Sequence, residues 1–504
     1  MTNWQDLVAA KQQECKDKIP PEWRLNAEEF AFAKNPRLIE MEIGRSILSS
    51  EEVDITENYT ASQLLVKLAS GSVSSWDVTT AFCKRAATAQ QLTSCLTETF
   101  FPQALERAQY LDDYLKREGK PKGPFHGLPI SLKDSFNVEG VQSTIGYVEF
   151  LKHEPAKTNS ALVQMLLDLG AVLYVKTNIP QTLMTGDSEN NIFGRTLNPH
   201  NTQLTAGGSS GGEGALVALR GSLLGVGTDV AGSIRIPALC CGVYGFKPTT
   251  NRIPFGGQVS GANEGIPGLV PSAGPLAHSI AELKLFMSLV VGDGQAWEYD
   301  STAVAVPWQG IPRGVSENPV LTIGVLAEDK HFPLHPPVKR ALDSSIEMLT
   351  RAGHRIVRLG EELDVAYPSR LAFQNFVYGP HKDLLAASGE PPVTSVAKAA
   401  SPMFSGPFPV EQGLGPFETI QALYEARQQL LNDWRKTWTE HQLDVVLAPG
   451  AQNTAVAHDT YGWPPYTAIW NLLDVSRPLS TLATILTLTV SRLSDPLFLG
   501  FKAS

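Results

Sequence analysis

The hydrophobic period of this chain changes twice between residues 127 and 176, and that change restricts the fold more than any other feature. Gly127-Leu-Pro-Ile-Ser-Leu-Lys133 and Ala171-Val-Leu-Tyr-Val-Lys176 read as short buried strands, with the apolar helix Ser160–Leu169 between them. Strands that alternate with helices predict an α/β layer architecture rather than a sandwich or a bundle. Upstream, helical spacing dominates: Leu64, Leu65 and Leu68, then Val78, Phe82 and Ala86, recur at three and four residues. Ser74-Ser75 supplies an N-cap, and a further helix over Pro102–Arg117 stops before Gly119. Residues 1–60 form a polar, helix-rich extension that opens with a helix over Asp6–Lys18. The Pro/Gly-rich stretches 305–319 and 386–417 read as loops, or a lid, within one domain.

Composition narrows the class. A hydrophobic content of 43% excludes intrinsic disorder, and a net charge of −10 argues against bulk phosphate binding, so nucleic acid is not an expected partner. Cys15, Cys83, Cys95, Cys240 and Cys241 are thinly spread and include no Cys-x-x-Cys pair, which fits a reducing compartment better than a disulfide framework. The start of the chain lacks a basic segment followed by an apolar run, and no stretch of about 18 apolar residues exists to span a bilayer. The expectation is a cytoplasmic protein.

The most informative run is Gly207-Gly-Ser-Ser-Gly-Gly-Glu-Gly-Ala215. By itself it could be a flexible connector. It lacks the Gly-Lys-Ser/Thr of a phosphate-binding loop. It satisfies Gly-x-Ser-x-Gly through Ser209 or Ser210, but a nucleophile elbow needs a buried strand before it, and Asn198–Ala206 is polar and broken. Downstream, Leu223-Leu-Gly-Val-Gly-Thr-Asp-Val-Ala-Gly-Ser233 is an apolar segment entering a Gly-rich turn, where a serine can sit among backbone N–H groups of the kind an oxyanion needs. Lys133 ends an apolar strand. A lysine there must pair, snorkel or lose its charge, and a neutral lysine can take a serine proton.

Together the Gly207–Ala215 run, Gly227-Thr-Asp-x-x-Gly-Ser-Ile-Arg-x-Pro237 and Gly127-Leu-Pro-Ile-Ser-Leu-Lys-Asp134 resemble the amidase signature family, and most of all its fungal acetamidase or general amidase group. The resemblance runs from about residue 60 to residue 474, and Trp470-Asn-Leu-Leu-Asp474 belongs to it. It implies a mixed, twisted sheet covered by helices in one large domain over residues 61–474, with the helical extension before it. It also implies a serine amidohydrolase acting on a small-molecule carboxamide such as acetamide. Ser233 would be the nucleophile, Ser209 the bridging serine after a cis Gly208–Ser209 peptide, and Lys133 the base. The amides of Val230, Ala231, Gly232 and Ser233 would form the oxyanion hole, with Ser209 at its edge. Thr228, Asp229, Arg235 and Ser210 would support the site, although Asp229 and Arg235 read equally well as a structural ion pair. No metal or cofactor is implied, and a homodimer is left open.

Other motifs carry less. Cys240-Cys241 reads as buried packing. His331 and His335 have helical spacing, but Pro333, Pro336 and Pro337 exclude a helix there, which argues against a zinc pair. Ser395-Val-Ala-Lys398 matches Ser-x-x-Lys but lies in Pro-rich sequence without the companion motifs. After Asp474 the resemblance ends. Residues 475–504 form an atypical tail in place of the family's closing elements, and Leu486, Leu488 and Val490, alternating with threonines, allow one strand. Beside the amide hydrolase stand an inactive relative that acts by binding, a glutamine-amidotransferase subunit, and an amidase that tailors a secondary metabolite.

Overall fold

The computed structural model describes residues 3–32, 37–40, 46–261, 268–306, 308, 320–326, 328–360, 363, 365–377, 383–399, 408–411, 413–474 and 484–487. Its strands alternate with helices as the period change requires. The first three are β1 (Leu96–Thr99), β2 (Pro129–Lys133) and β3 (Val172–Thr177), and the helix Ala161–Asp168 bridges β2 and β3. Next come the short pair β4 (Glu189–Asn190) and β5 (Gly194–Arg195), then β6 (Leu224–Asp229), β7 (Tyr244–Gly245) and β8 (Ser272–Ala277). The last four are β9 (Thr322–Val325), β10 (Arg355–Arg358), β11 (Val445–Ala448) and β12 (Thr484–Thr487).

Six of these form one sheet in the order β1-β3-β2-β6-β8-β7. Its centre, β3-β2-β6, is parallel and its flanks are antiparallel. A second sheet, β10-β9-β11-β12, is parallel throughout. The expected mixed sheet is the six-stranded one, and the parallel sheet is separate from it. In the tail, Thr484–Thr487 pair with β11, so the strand includes Leu486 of the expected alternation and starts two residues before it, and 475–483 and 488–504 lie outside the described residues.

The central strands are buried on both faces because helices cover both. Ile130 and Leu132 point into the core from one face of β2, and Ser131 and Lys133 share the other. Against that second face lies the helix Gly211–Ala218, buried along its whole length. Gly212 lets its first turn approach Asn178 and Cys95 more closely than any side chain would allow. Three charges fasten the N-terminal helix Trp4–Asp17 to the sheet, and a buried pair lies beyond them. Lys11 and Lys18 pair with Glu98 on β1, and beyond it Lys176 on β3 pairs with Asp134 at 3.4 Å. Asp134 also accepts from Thr97 Oγ1 at 2.7 Å and from the amides of Thr144 and Ile145, so it fixes the chain immediately after Lys133. Removing one member of a buried pair strands its partner. Lys176→Met is therefore expected to lower the urea midpoint by the equivalent of about 3 kcal/mol, with no change in slope. An unchanged midpoint would mean that the Thr97 hydroxyl and the backbone donors satisfy Asp134 without the lysine.

The stretch 386–417 departs from the expected loop. Asp383 caps the helix Leu384–Ser388, Gly389 closes it in the left-handed region, and Thr394–Ala399 is a second helix that follows Pro391-Pro392. Prolines before a first turn remove only amides that have no intrahelical partner, so they start a helix as readily as they break one. Ser395 and Lys398 thus lie on a helix, with Lys398 Nζ donating to Asp459 O at 2.9 Å. Residues 400–407 and most of 305–319 lie outside the described residues. Among the described residues the five cysteines are unpaired, no His/Cys/Asp/Glu group could hold a metal ion, and no helix is long and apolar enough to cross a membrane.

Candidate active site

Two adjacent parallel strands, β2 and β6, end in charged residues, Lys133 and Asp229, at the edge where α/β sheets place their ligands. Lys133 is 1% exposed. Its Nζ lies 2.7 Å from Ser209 Oγ, 2.8 Å from Thr228 Oγ1 and 3.5 Å from Thr228 O. No salt bridge reaches it among the described residues. Burial drives its pKa down from 10.5 to about 7, against the opposing pull of Asp229 and Glu213. Burial thus frees the amine at much lower pH than a solvated lysine, and it is hydrogen-bonded to a serine.

The Gly207–Ala215 run is neither a connector nor an elbow. The peptide Gly208–Ser209 is cis, and a side chain at Gly208 would strike Thr185 O, so the turn is packed solid. Ser188 Oγ holds it from below by donating to Gly207 O at 2.9 Å and accepting from Gly211 N at 3.0 Å. The second Gly-rich turn meets it through Ser210, whose N–H donates to Ser233 O at 3.1 Å. Ser233 is partly exposed, and its Oγ has no hydrogen-bond partner among the described residues. The structure therefore gathers Lys133, Ser209, Ser210, Thr228 and Ser233 into one place.

Asp229 organises the turn that carries Ser233. Its carboxylate accepts from Gly232 N at 2.8 Å, Ile234 N at 3.1 Å, Arg235 Nε at 3.0 Å, Arg235 Nη2 at 2.9 Å and Asn471 Nδ2 at 2.9 Å. Burial works against that charge, but the Arg235 guanidinium outweighs it and holds the carboxyl well below the usual carboxylate range. Gly232 corrects the expected set of oxyanion donors, because its N–H is committed to Asp229. The amides of Val230, Ala231 and Ser233 have no partner among the described residues. Gly232 itself has φ +128°, and a side chain there would meet Thr467 Oγ1.

Three contributors had no assigned role in the sequence. Asn471 accepts from Arg235 Nη2 at 2.6 Å, Thr467 Oγ1 donates to Ala231 O at 2.7 Å, and Glu213 lies buried beneath Lys133. Asn471 sits in the Trp470–Asp474 run that carried part of the resemblance. Glu213 is the one acid in a Gly/Ser/Ala run that enters an apolar helix. His331 and His335 lie in the turn before the helix Pro336–Arg351, and His335 is its N-cap.

The chain has relatives among known proteins. The family model described as Amidase matches residues 77–380. The chain is 42% identical over 479 residues to an amidase of Gibberella moniliformis, covering 94% of this chain and 88% of that one. It is 36% identical to an acetamidase of Emericella nidulans, covering 94% of this chain and 85% of the relative. Among solved structures it resembles fatty acid amide hydrolase, with a TM-score of 0.85 at 33% identity over 94% of this chain and 82% of the other.

Proposed function

The chain belongs to the amidase signature family of amide hydrolases, and from that premise we propose that it converts a small primary carboxamide to a carboxylate and ammonia through an acyl-enzyme on Ser233. The observation that carries the reading is the 2.7 Å contact between a desolvated Lys133 and Ser209 Oγ. As a free amine Lys133 accepts the Ser209 proton while Ser209 takes that of Ser233, whose Oγ attacks the carbonyl carbon. The amides of Val230, Ala231 and Ser233 then face the developing oxyanion, where one well-placed donor contributes about 3 kcal/mol. Collapse of the tetrahedral intermediate breaks the C–N bond. Lys133 returns the proton through Ser209 to the departing nitrogen, ammonia leaves, and water hydrolyses the ester by the same relay. Relatives named acetamidase support a short acyl chain.

The test works whatever the acyl group. A fluorophosphonate probe followed by peptide mapping is expected to give one adduct, on Ser233, formed at least a hundredfold more slowly in Lys133→Ala. A panel of amides from acetamide upward with ammonia detection then assigns the chain length. Folded protein that takes no label would overturn the serine mechanism and favour a role in binding.

A further inference from the structure

Beneath Lys133 lies an ionisable group that the relay leaves idle. Glu213 occupies the first turn of the helix Gly211–Ala218 and is fully buried. Ser131 Oγ and its Oε2 are 2.6 Å apart, and Thr177 Oγ1 and its Oε1 are 2.9 Å apart. Both hydroxyls align Glu213 with the lysine. Ser131 shares a face of β2 with Lys133 two residues on, and Thr177 is the cross-strand partner of Lys133 in β3. Across the sheet, Gly225 on β6 leaves room for the carboxyl group, which any side chain at that position would strike. Among the described residues no cation pairs with Glu213.

We propose that Glu213 is a positioning residue for the amide cleavage: a neutral buried acid that leaves Lys133 free to act in turn as base and as acid, and whose ionisation closes the alkaline end of the working pH range. The inference rests on the amidase reading. An unpaired carboxylate in a dry site is costly, so the group keeps its proton. Burial raises its pKa to about 8, against the two hydroxyls and Lys133, which favour the anion. Lys133 and Glu213 titrate as a coupled pair that carries no net charge near neutrality. In that state the only anion facing Lys133 among the described residues is Asp229, already matched by Arg235. Once Glu213 ionises, a proton delivered from Ser233 to Lys133 enters an ion pair and is held back from the departing nitrogen. The same anion opposes the developing oxyanion. Around Glu213 the other titratable groups are Tyr174 and Cys95, both pushed upward by burial and neutral throughout this range.

The experiment measures kcat and kcat/KM against pH for the wild type and Glu213→Gln, alongside infrared difference spectra of the two. The wild type is expected to lose activity above about pH 8, roughly tenfold one unit past the midpoint. Glu213→Gln should lack that loss while keeping the acid limb set by Lys133. The spectra should show a protonated carboxyl band in the wild type that titrates with the same midpoint and is absent from the variant. A part that only fastens the helix would leave the alkaline limb where it is in the wild type. Should the glutamine variant not fold, Thr177→Val removes one hydroxyl that favours the anion and should move the alkaline limb upward. Coincident alkaline limbs, or no carboxyl band in the wild type at pH 7, would overturn the proposal. A wild type that shows the band but cleaves no amide sinks the amidase reading, and the role of Glu213 with it.

Discussion

Lys133→Met is expected to lower kcat by about 10⁴-fold while leaving the fold within about 1 kcal/mol of wild type at neutral pH. The two effects separate because Lys133 contributes little to cohesion. Its partners are two hydroxyls and a carbonyl, and it forms no ion pair among the described residues. Methionine fills a similar volume, and the polar groups left behind cost about what is gained by no longer desolvating an amine. The reaction has no substitute for the lost base, since no other basic side chain contacts Ser209 among the described residues. In the wild type, kcat/KM should rise with pH through a midpoint near 7, the value to which burial lowers the lysine. Stability supplies an independent check of sign. The unfolded chain binds this proton up to pH 10.5 and the folded chain only to about 7, so wild-type stability should rise relative to Lys133→Met across that window and stay level below it. A variant with unchanged kcat, or parallel stability curves, would show that Lys133 is charged at rest and is not the base.

The strand–helix–strand segment over residues 127–176 was legible because each element obeys its own local period, and β2, β3 and the helix between them fall within a few residues of the pattern. Lys133 was legible for the same reason: a lysine ending a buried strand is an anomaly visible in one window of sequence. What was not legible depends on distance along the chain. Asn471 lies 236 residues from Arg235, and Ser131 lies 82 residues from Glu213, so no local window contains either contact. The commitment of Gly232 N–H to Asp229 is hidden differently. A run of glycines announces a tight turn, but which amides remain free is decided by a carboxylate three residues away that can fold back on its own turn. At 391–392 the rule itself misleads, since paired prolines read as a break and instead precede the first turn of a helix.

Asp229→Ala should cause the largest combined loss, about 3–5 kcal/mol of stability together with a fall in kcat of roughly 10²- to 10³-fold. Asp229 touches no reacting atom, so the activity loss must come from position. Its carboxylate draws Gly232 N and Ile234 N inward, which leaves the amides of Val230, Ala231 and Ser233 for the oxyanion and sets the direction of Ser233. Without it, Arg235 is a buried guanidinium whose remaining anchor is Asn471 Oδ1. A double-mutant cycle separates the two consequences. Arg235→Met alone strands the carboxylate and should also destabilise strongly, whereas Asp229→Ala with Arg235→Met removes both charges and should recover part of the stability. It should recover none of the activity, because the two amides remain unheld. The depressed pKa adds a pH signature: the stabilisation is complete above the unfolded value of about 4 and is lost only as pH falls through the lower folded value. In Arg235→Met the folded value moves back up, so this pH-dependent contribution should shrink or reverse below about pH 4, readable by circular dichroism as a flatter acid limb relative to Asp229→Ala. If the double variant instead regains activity along with stability, the turn holds its own shape and the pair serves only to neutralise charge.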